Sequence, residues 1–229
     1  MKLAVVLLAV VSALALATVA LAVADPGPIT GDATSFSNAI SQGWNVSCNA
    51  NVTGDLFSSG IAGEGNVQVW TYYQDFVETT PEPGFPSGEG AVRMWDYVVK
   101  NNTINPTNGG APYLLRSFSI TYAGSGVPVP DVDDMDSSAP SWLASTSGTS
   151  VNWATTAGSG AEIVGGGVKQ FLVETRQTAI GHDSLPASVQ NGHAYNGFVC
   201  GPVAVPEPMS MLLGCLGLTS IAGFRRLRR

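Results

Sequence analysis

Between its two ends the chain alternates short apolar runs with stretches of Gly, Pro, Ser and Asn. No window of twelve residues there holds its apolar positions at the 3.6-residue spacing of a helix face. Val67-Gln68-Val69-Trp70-Thr71-Tyr72-Tyr73-Gln74-Asp75-Phe76-Val77 is crowded with β-branched and aromatic residues, which suit a pleated surface. A Pro/Gly/Ser loop from Thr79 to Gly90 then leads into Ala91-Val92-Arg93-Met94-Trp95-Asp96-Tyr97-Val98-Val99-Lys100. Two such runs around one turn-rich loop predict a long hairpin. Both runs carry large apolar groups at odd and even positions alike, as central strands covered on each face do. Asn101-Asn102 reads as the end of the second strand.

Tyr113 to Tyr122 alternates, with Leu114, Phe118, Ile120 and Tyr122 on one side and Leu115, Ser117, Ser119 and Thr121 on the other. Arg116 interrupts that pattern and belongs near an edge or beside an acid. Further strands are predicted over Ser150–Thr155, Glu162–Val164, Val168–Thr175 and Tyr195–Cys200, with short strands and loops around Trp44 between Asp25 and Gly65. Many short strands with turn signals between them predict an all-β body, a single antiparallel β-sandwich of immunoglobulin-like or jelly-roll-like type.

The ends have a different character. Met1-Lys2, a long Leu/Val/Ala run and small residues at Ala22 and Ala24 read as a secretory signal helix cut after Ala24, with an uncleaved N-terminal anchor as the alternative. At the other end stand Val205-Pro206-Glu207-Pro208, sixteen uncharged and mostly apolar residues from Met209 to Phe224, and then Arg225, Arg226, Leu227, Arg228 and Arg229. The prolines keep the motif extended and open to a binding partner. The apolar stretch, read as a hydrophobic helix, is at the short end for a bilayer span, and the arginines hold its flank at the cytoplasmic headgroups. Thr80-Pro81-Glu82-Pro83-Gly84 repeats the tripeptide with no apolar segment behind it, so the ordered set of three parts carries the signal.

That order resembles the PEP-CTERM sorting signal of exported bacterial proteins. The resemblance covers Val205 to Arg229 and implies an exosortase-type membrane enzyme as partner, with cleavage at the Pro-Glu-Pro motif. It also implies transient membrane anchoring before delivery to the cell surface or extracellular matrix. The expected organisation is a signal peptide over 1–24, a β-sandwich body over 25–204 and a sorting tail over 205–229.

Setting the ends aside changes the charge picture. Lys2 and the four terminal arginines are half of the ten basic residues, whereas all seventeen acids lie between Asp25 and Pro208. A body with so few and scattered cations is no nucleic-acid binder, because phosphate contact needs clustered Lys and Arg. Extracellular polysaccharide is the partner class left open to it. Of the three cysteines, Cys215 sits in the apolar tail, and export favours a disulfide between Cys48 and Cys200.

Candidate chemistry is sparse. His182 and His193 lie in a loop-like Gly/Ser/Asn-rich stretch from Ala179 to Asn196, without metal-binding or triad spacing. No catalytic set stands out, and the body reads as non-catalytic; a secreted carbohydrate-binding module is the alternative and, behind it, a secreted hydrolase built on carboxylates far apart in sequence. Trp44, Trp70, Trp95, Trp142 and Trp153 are either core or a sugar-stacking platform. Asn45, Asn51 and Asn101 each begin an N-x-S/T match, read as accidental. Asp131, Asp133, Asp134 and Asp136 offer hard oxygen ligands in one short loop and form the candidate Ca²⁺ site, with a solvated acidic loop as the alternative. If they gather round the ion, Ca²⁺ at about a hundredfold excess over its Kd raises stability by roughly 2.7 kcal/mol. Melting with Ca²⁺, with EDTA and with NaCl of matched ionic strength checks this, and three equal midpoints leave an ordinary acidic loop.

Overall fold

The computed structural model describes residues 26–49, 52–78, 90–122, 142–147, 149–175, 180–191 and 193–202. The predicted leader over 1–24, the tail over 205–229 and the acidic run 131–136 lie outside them. Among the described residues two sheets carry the fold, and their strand pairings are all antiparallel. In the first, β1 (Asp55–Phe57), β2 (Gly65–Glu78), β3 (Gly90–Thr103) and β7 (Val168–Thr175) lie side by side in that order. In the second the order is β5 (Leu143–Ser147), β6 (Ser150–Ala154), β4 (Ser117–Thr121), β8 (Ile180–Gln190) and β9 (Ala194–Pro202). Their facing sides interdigitate in one core, so the body is a β-sandwich.

The predicted hairpin is the spine of the first sheet. β2 and β3 pair without a slip through fourteen positions, from Gly65↔Thr103 to Glu78↔Gly90. Asn101 and Asn102 do not end β3, as their composition suggests, because both are paired in the ladder with Val67 and Asn66. One face of the hairpin turns inward with Val67, Val69, Tyr73, Trp95, Tyr97 and Val99. Across from them Phe118 lies 5.4 Å from the Trp153 ring in a stacked pair, 5.1 Å from Phe171 and 6.0 Å from Tyr97. The opposite face is also covered, as the apolar residues on both sides of these strands require. Residues 26–49 lay Ile29, Ala33, Ala39 and Trp44 over Trp70, Tyr72, Met94, Val98 and Leu172. One turn and a half of helix, α1 (Phe36–Ser41), sits in this cover, started by the Ser35 side chain accepting from the Asn38 N–H.

Other expectations need correction. Leu115, not Leu114, points into the core: Leu115 is fully buried and Leu114 is 40% exposed. The cause is a break of phase at Arg116. Leu115 bridges Ile163, whereas β4 begins at Ser117 on different partners. Glu162–Val164 supplies only that bridge and no strand. Arg116 does lie beside an acid, its Nε 3.8 Å from Glu162 Oε1. The stretch read as a loop from Ala179 to Asn196 is mostly β8, in which Gly181, Pro186 and Ser188 keep their places through pairing with β9. His182 is therefore a strand residue. β1 falls in the stretch between Asp25 and Gly65 where short strands are expected, whereas β5 is a short strand not predicted from composition.

Cys48 and Cys200 are joined, as expected, with Cα atoms 5.8 Å apart across a sequence separation of 152. The cross-link ties the segment before β1 to β9. Ser58 and Asn196 exchange backbone hydrogen bonds on the same edge, which leaves less of β9 open for pairing with another chain. Gly197 is required there, since a Cβ would stand 2.3 Å from the Phe57 ring.

Asp96 is fully buried in the outer cover, opposite Tyr72 and Leu172 in register and beneath Ile29. The Ile29 N–H donates to Oδ2 at 3.4 Å, while Oδ1 and the Tyr72 hydroxyl find no hydrogen-bond partner among the described residues. Burial pushes the Asp96 carboxyl up to about 8, with the Ile29 hydrogen bond opposing weakly. A raised carboxyl favours the folded state while protonated. Its contribution is whole below the ordinary carboxylate range and is lost as pH rises towards about 8. Asp96→Asn is therefore expected to be the more stable form at alkaline pH, by a few kcal/mol, and to lose less stability between about pH 5 and about pH 9. Urea titrations across that range check it, and parallel profiles for both proteins contradict it.

Candidate functional site

Four connections meet at one end of the sandwich: the β1–β2 turn, the β3–β4 connection over 104–116, the β6–β7 connection over 155–167 and the β8–β9 turn at 191–193. Asn101 holds two of them together, the β3–β4 and β6–β7 connections. It is fully buried, and its side-chain amide donates to Tyr113 O at 2.6 Å and to Ile163 O at 2.7 Å. Its side-chain oxygen accepts from both the backbone and the hydroxyl of Thr103. Its own N–H and C=O bond Gly167 and Gly166. Every polar atom of the residue is thus used, which removes it as a glycan acceptor in the folded chain.

Over this frame lies a small polar cluster. The Glu64 carboxyl is buried, and its Oε1 accepts from the Tyr113 hydroxyl at 3.0 Å. His193 Nδ1 stands 3.6 Å from the same oxygen, and the imidazole lies 5.1 Å from the Tyr113 ring. The Tyr195 hydroxyl donates to the Glu64 backbone carbonyl at 3.4 Å, and Glu64 Oε2 has no partner among the described residues. Gly65 lets β2 leave this turn, since its φ of 71° is left-handed and a Cβ would stand 2.3 Å from Asn102 O. Burial and then the bond to Glu64 raise the Tyr113 hydroxyl above the ordinary phenol value. Burial and the nearby Glu64 charge push Tyr195 up to about 12. Both phenols therefore stay protonated near neutral pH and act as donors. The cluster pins the β8–β9 turn to the β3–β4 connection.

Beside it Glu162 accepts from the backbone N–H groups of Gly158 and Gly160. Its own N–H first, then those two, with Arg116 adding least, hold its carboxyl below the usual carboxylate range. Ile61, Ile104, Leu114 and Val164 stand exposed on the same loops.

Of the residues singled out from sequence, His193 is in this cluster, whereas the backbone of His182 lies towards the other end of β8. Among the described residues no three His, Cys, Asp or Glu side chains gather as metal ligands. The four aspartates and the sorting motif lie outside the described residues. All five tryptophans are buried, which removes them as a stacking platform. Glu64 and Tyr113 were not legible as partners. They are 49 residues apart and meet only because both flank the long hairpin's end.

No family model matches the chain, and no curated protein matches it. Among solved structures it is similar to an uncharacterized protein from Nocardia farcinica, described as having an immunoglobulin-like fold. That likeness has 13% identity and a TM-score of 0.35, over 58% of this chain and 96% of the other. The fold described above rests on the chain's own strand pairing.

Asn101→Asp keeps the shape and replaces two donors by acceptors facing two carbonyls. A loss of roughly 3–5 kcal/mol is expected, as for other broken buried networks. Denaturant unfolding measures it, and a loss under about 0.5 kcal/mol, typical of an ordinary surface site, would show that the loops do not depend on this residue.

Proposed function

We propose that the chain is an exported, non-catalytic protein of the cell surface or extracellular matrix, sorted by an exosortase-type enzyme through Val205, Pro206, Glu207 and Pro208. The observation that carries this reading is the order of motif, apolar segment and arginines in the last twenty-five residues. The Cys48–Cys200 cross-link supports it, because such bonds persist in oxidising compartments.

Strand order supports an immunoglobulin-type rather than a jelly-roll body. β2–β3, β5–β6 and β8–β9 are hairpins within one sheet, and the chain changes sheets between β3 and β4, β6 and β7, and β7 and β8. β2, β3 and β7 then take the places of strands A, B and E, while β4, β8 and β9 take those of C, F and G. β6 pairs with β4 but is reached by way of the edge strand β5, a departure from the usual order. In this reading the Glu64–His193 end carries the B–C and F–G connections. It faces away from Pro202, which pairs with Ile180 at the other end and leads to the tail. A body tethered through that tail presents the loop end outward.

Intact mass of the protein exported by its native host tests the reading. The mature chain is expected to begin at Asp25 and to end within or near residues 205–208. A mature species that still ends at Arg229 would reduce the tail to a plain anchor.

A further inference from the structure

The strand registers lay out the exposed face of the five-stranded sheet as a grid of three rows across five strands. Its middle row is Ser145, Asn152, Ser119, Ser188 and Asn196. The row nearer the tail runs from Ser147 and Ser150 to Thr121 and ends in the pair Pro186–Phe198. The third row starts at Leu143 and ends at Ala194. No position of the grid carries a charge, although the body as a whole is strongly acidic. Strand and residue spacings make it a patch of roughly 19 by 14 Å.

Its chemistry is that of hydroxyls and amides. Ser119 and Ser188 pair their hydroxyls at 2.8 Å, and Thr121 and Ser150 at 3.2 Å. A hydroxyl in such a pair keeps acceptor capacity, and the amides of Asn152 and Asn196 add donors. Phe198 is 55% exposed beside Pro186, and the two line a shallow groove of about 350 Å³ with Thr121, Ser188 and Asn196.

We infer that this face binds a neutral polysaccharide, with Phe198 stacked on a sugar ring and the Ser/Thr/Asn rows bonding its hydroxyls. The inference rests on the reading that the body acts outside the cell. Charge selects the occupant. An anionic polymer meets no Lys or Arg here and is repelled by the acidic body. A protein surface brings charges that this face cannot pair once water is excluded. A second copy brings another acidic body against the first. A neutral chain of hydroxyl groups pays none of these costs, and its apolar C–H faces match the one exposed ring.

The test is retention of the purified full chain on cellulose, dextran and galactomannan, with polygalacturonate as the anionic comparison. Retention on at least one neutral polymer is expected. It should weaken about five- to tenfold in Phe198→Ala, as loss of one aromatic contact predicts, and vanish in Ser188→Glu. Ile61→Ser, on the loop end, should bind as the parent does, and the melting midpoint of each variant reports that it is folded. The inference is overturned by no retention on any neutral polymer, by retention on polygalacturonate alone, or by binding that Phe198→Ala and Ser188→Glu leave unchanged. A parent dimer that Ser188→Glu converts to monomer assigns the face to a second copy and overturns it as well. None of these results alters the mass of the exported chain, so the sorting reading stands or falls separately.

Discussion

The double covering of the β2–β3 hairpin is the constraint on which the rest of the structure depends. Fourteen consecutive pairs hold the hairpin in one register, and a slip by one residue would exchange its two faces. Here both faces are apolar, so the register is defended by shape. Trp95 and Tyr97 fit among Phe118, Phe171 and Trp153, while Met94 and Val98 fit under the N-terminal cover. Each side thus fixes the other, and the cover over residues 26–49 is part of the core.

Two charged side chains within β3 show how one strand manages charge. Arg93 is buried, lies 4.1 Å over the Tyr73 ring and forks onto the Asp75 carboxyl, which remains exposed. The aromatic face and the water-facing acid together keep the guanidinium's charge compensated. Asp96, three residues on, has no such partner and sits among apolar groups. One strand therefore holds a satisfied charge and an unsatisfied acid, separated by little more than one pleat repeat.

Much of this was legible from the sequence. The long hairpin, its covering on two faces, β7, the sandwich class and the Cys48–Cys200 bond follow from residue type, alternation and compartment. What escaped is set by contacts distant in sequence. β8 contains Gly181 and Pro186 and reads as a loop until β9 pairs with it. Asn101 looks like a strand end because its side chain prefers turns, yet two side-chain hydrogen bonds to neighbouring segments and two from Thr103 keep it in the ladder. The phase error at Leu114 and Leu115 has a similar origin, since the strand changes partners at Arg116. The Glu64 cluster gave no local signal at all: its members come from separate loops, and only the closed sandwich brings them together. The uncharged face was written in the sequence as alternate Ser, Thr and Asn, but its rows exist only once the registers of five strands are known.

The disulfide has a mechanical side. β9 ends at Pro202, and Cys200 lies two residues earlier in it. A pull on the C-terminal end of β9 reaches the cross-link almost at once and is passed through it to Cys48. β9 cannot be peeled from β8 like a zipper from its free end, because moving Cys200 drags the segment ahead of β1 with it. Tension is shared between two distant stretches of backbone at the point of entry. The grid and the loop end, farther along the same strands, lie downstream of that junction and are shielded from the first increment of force.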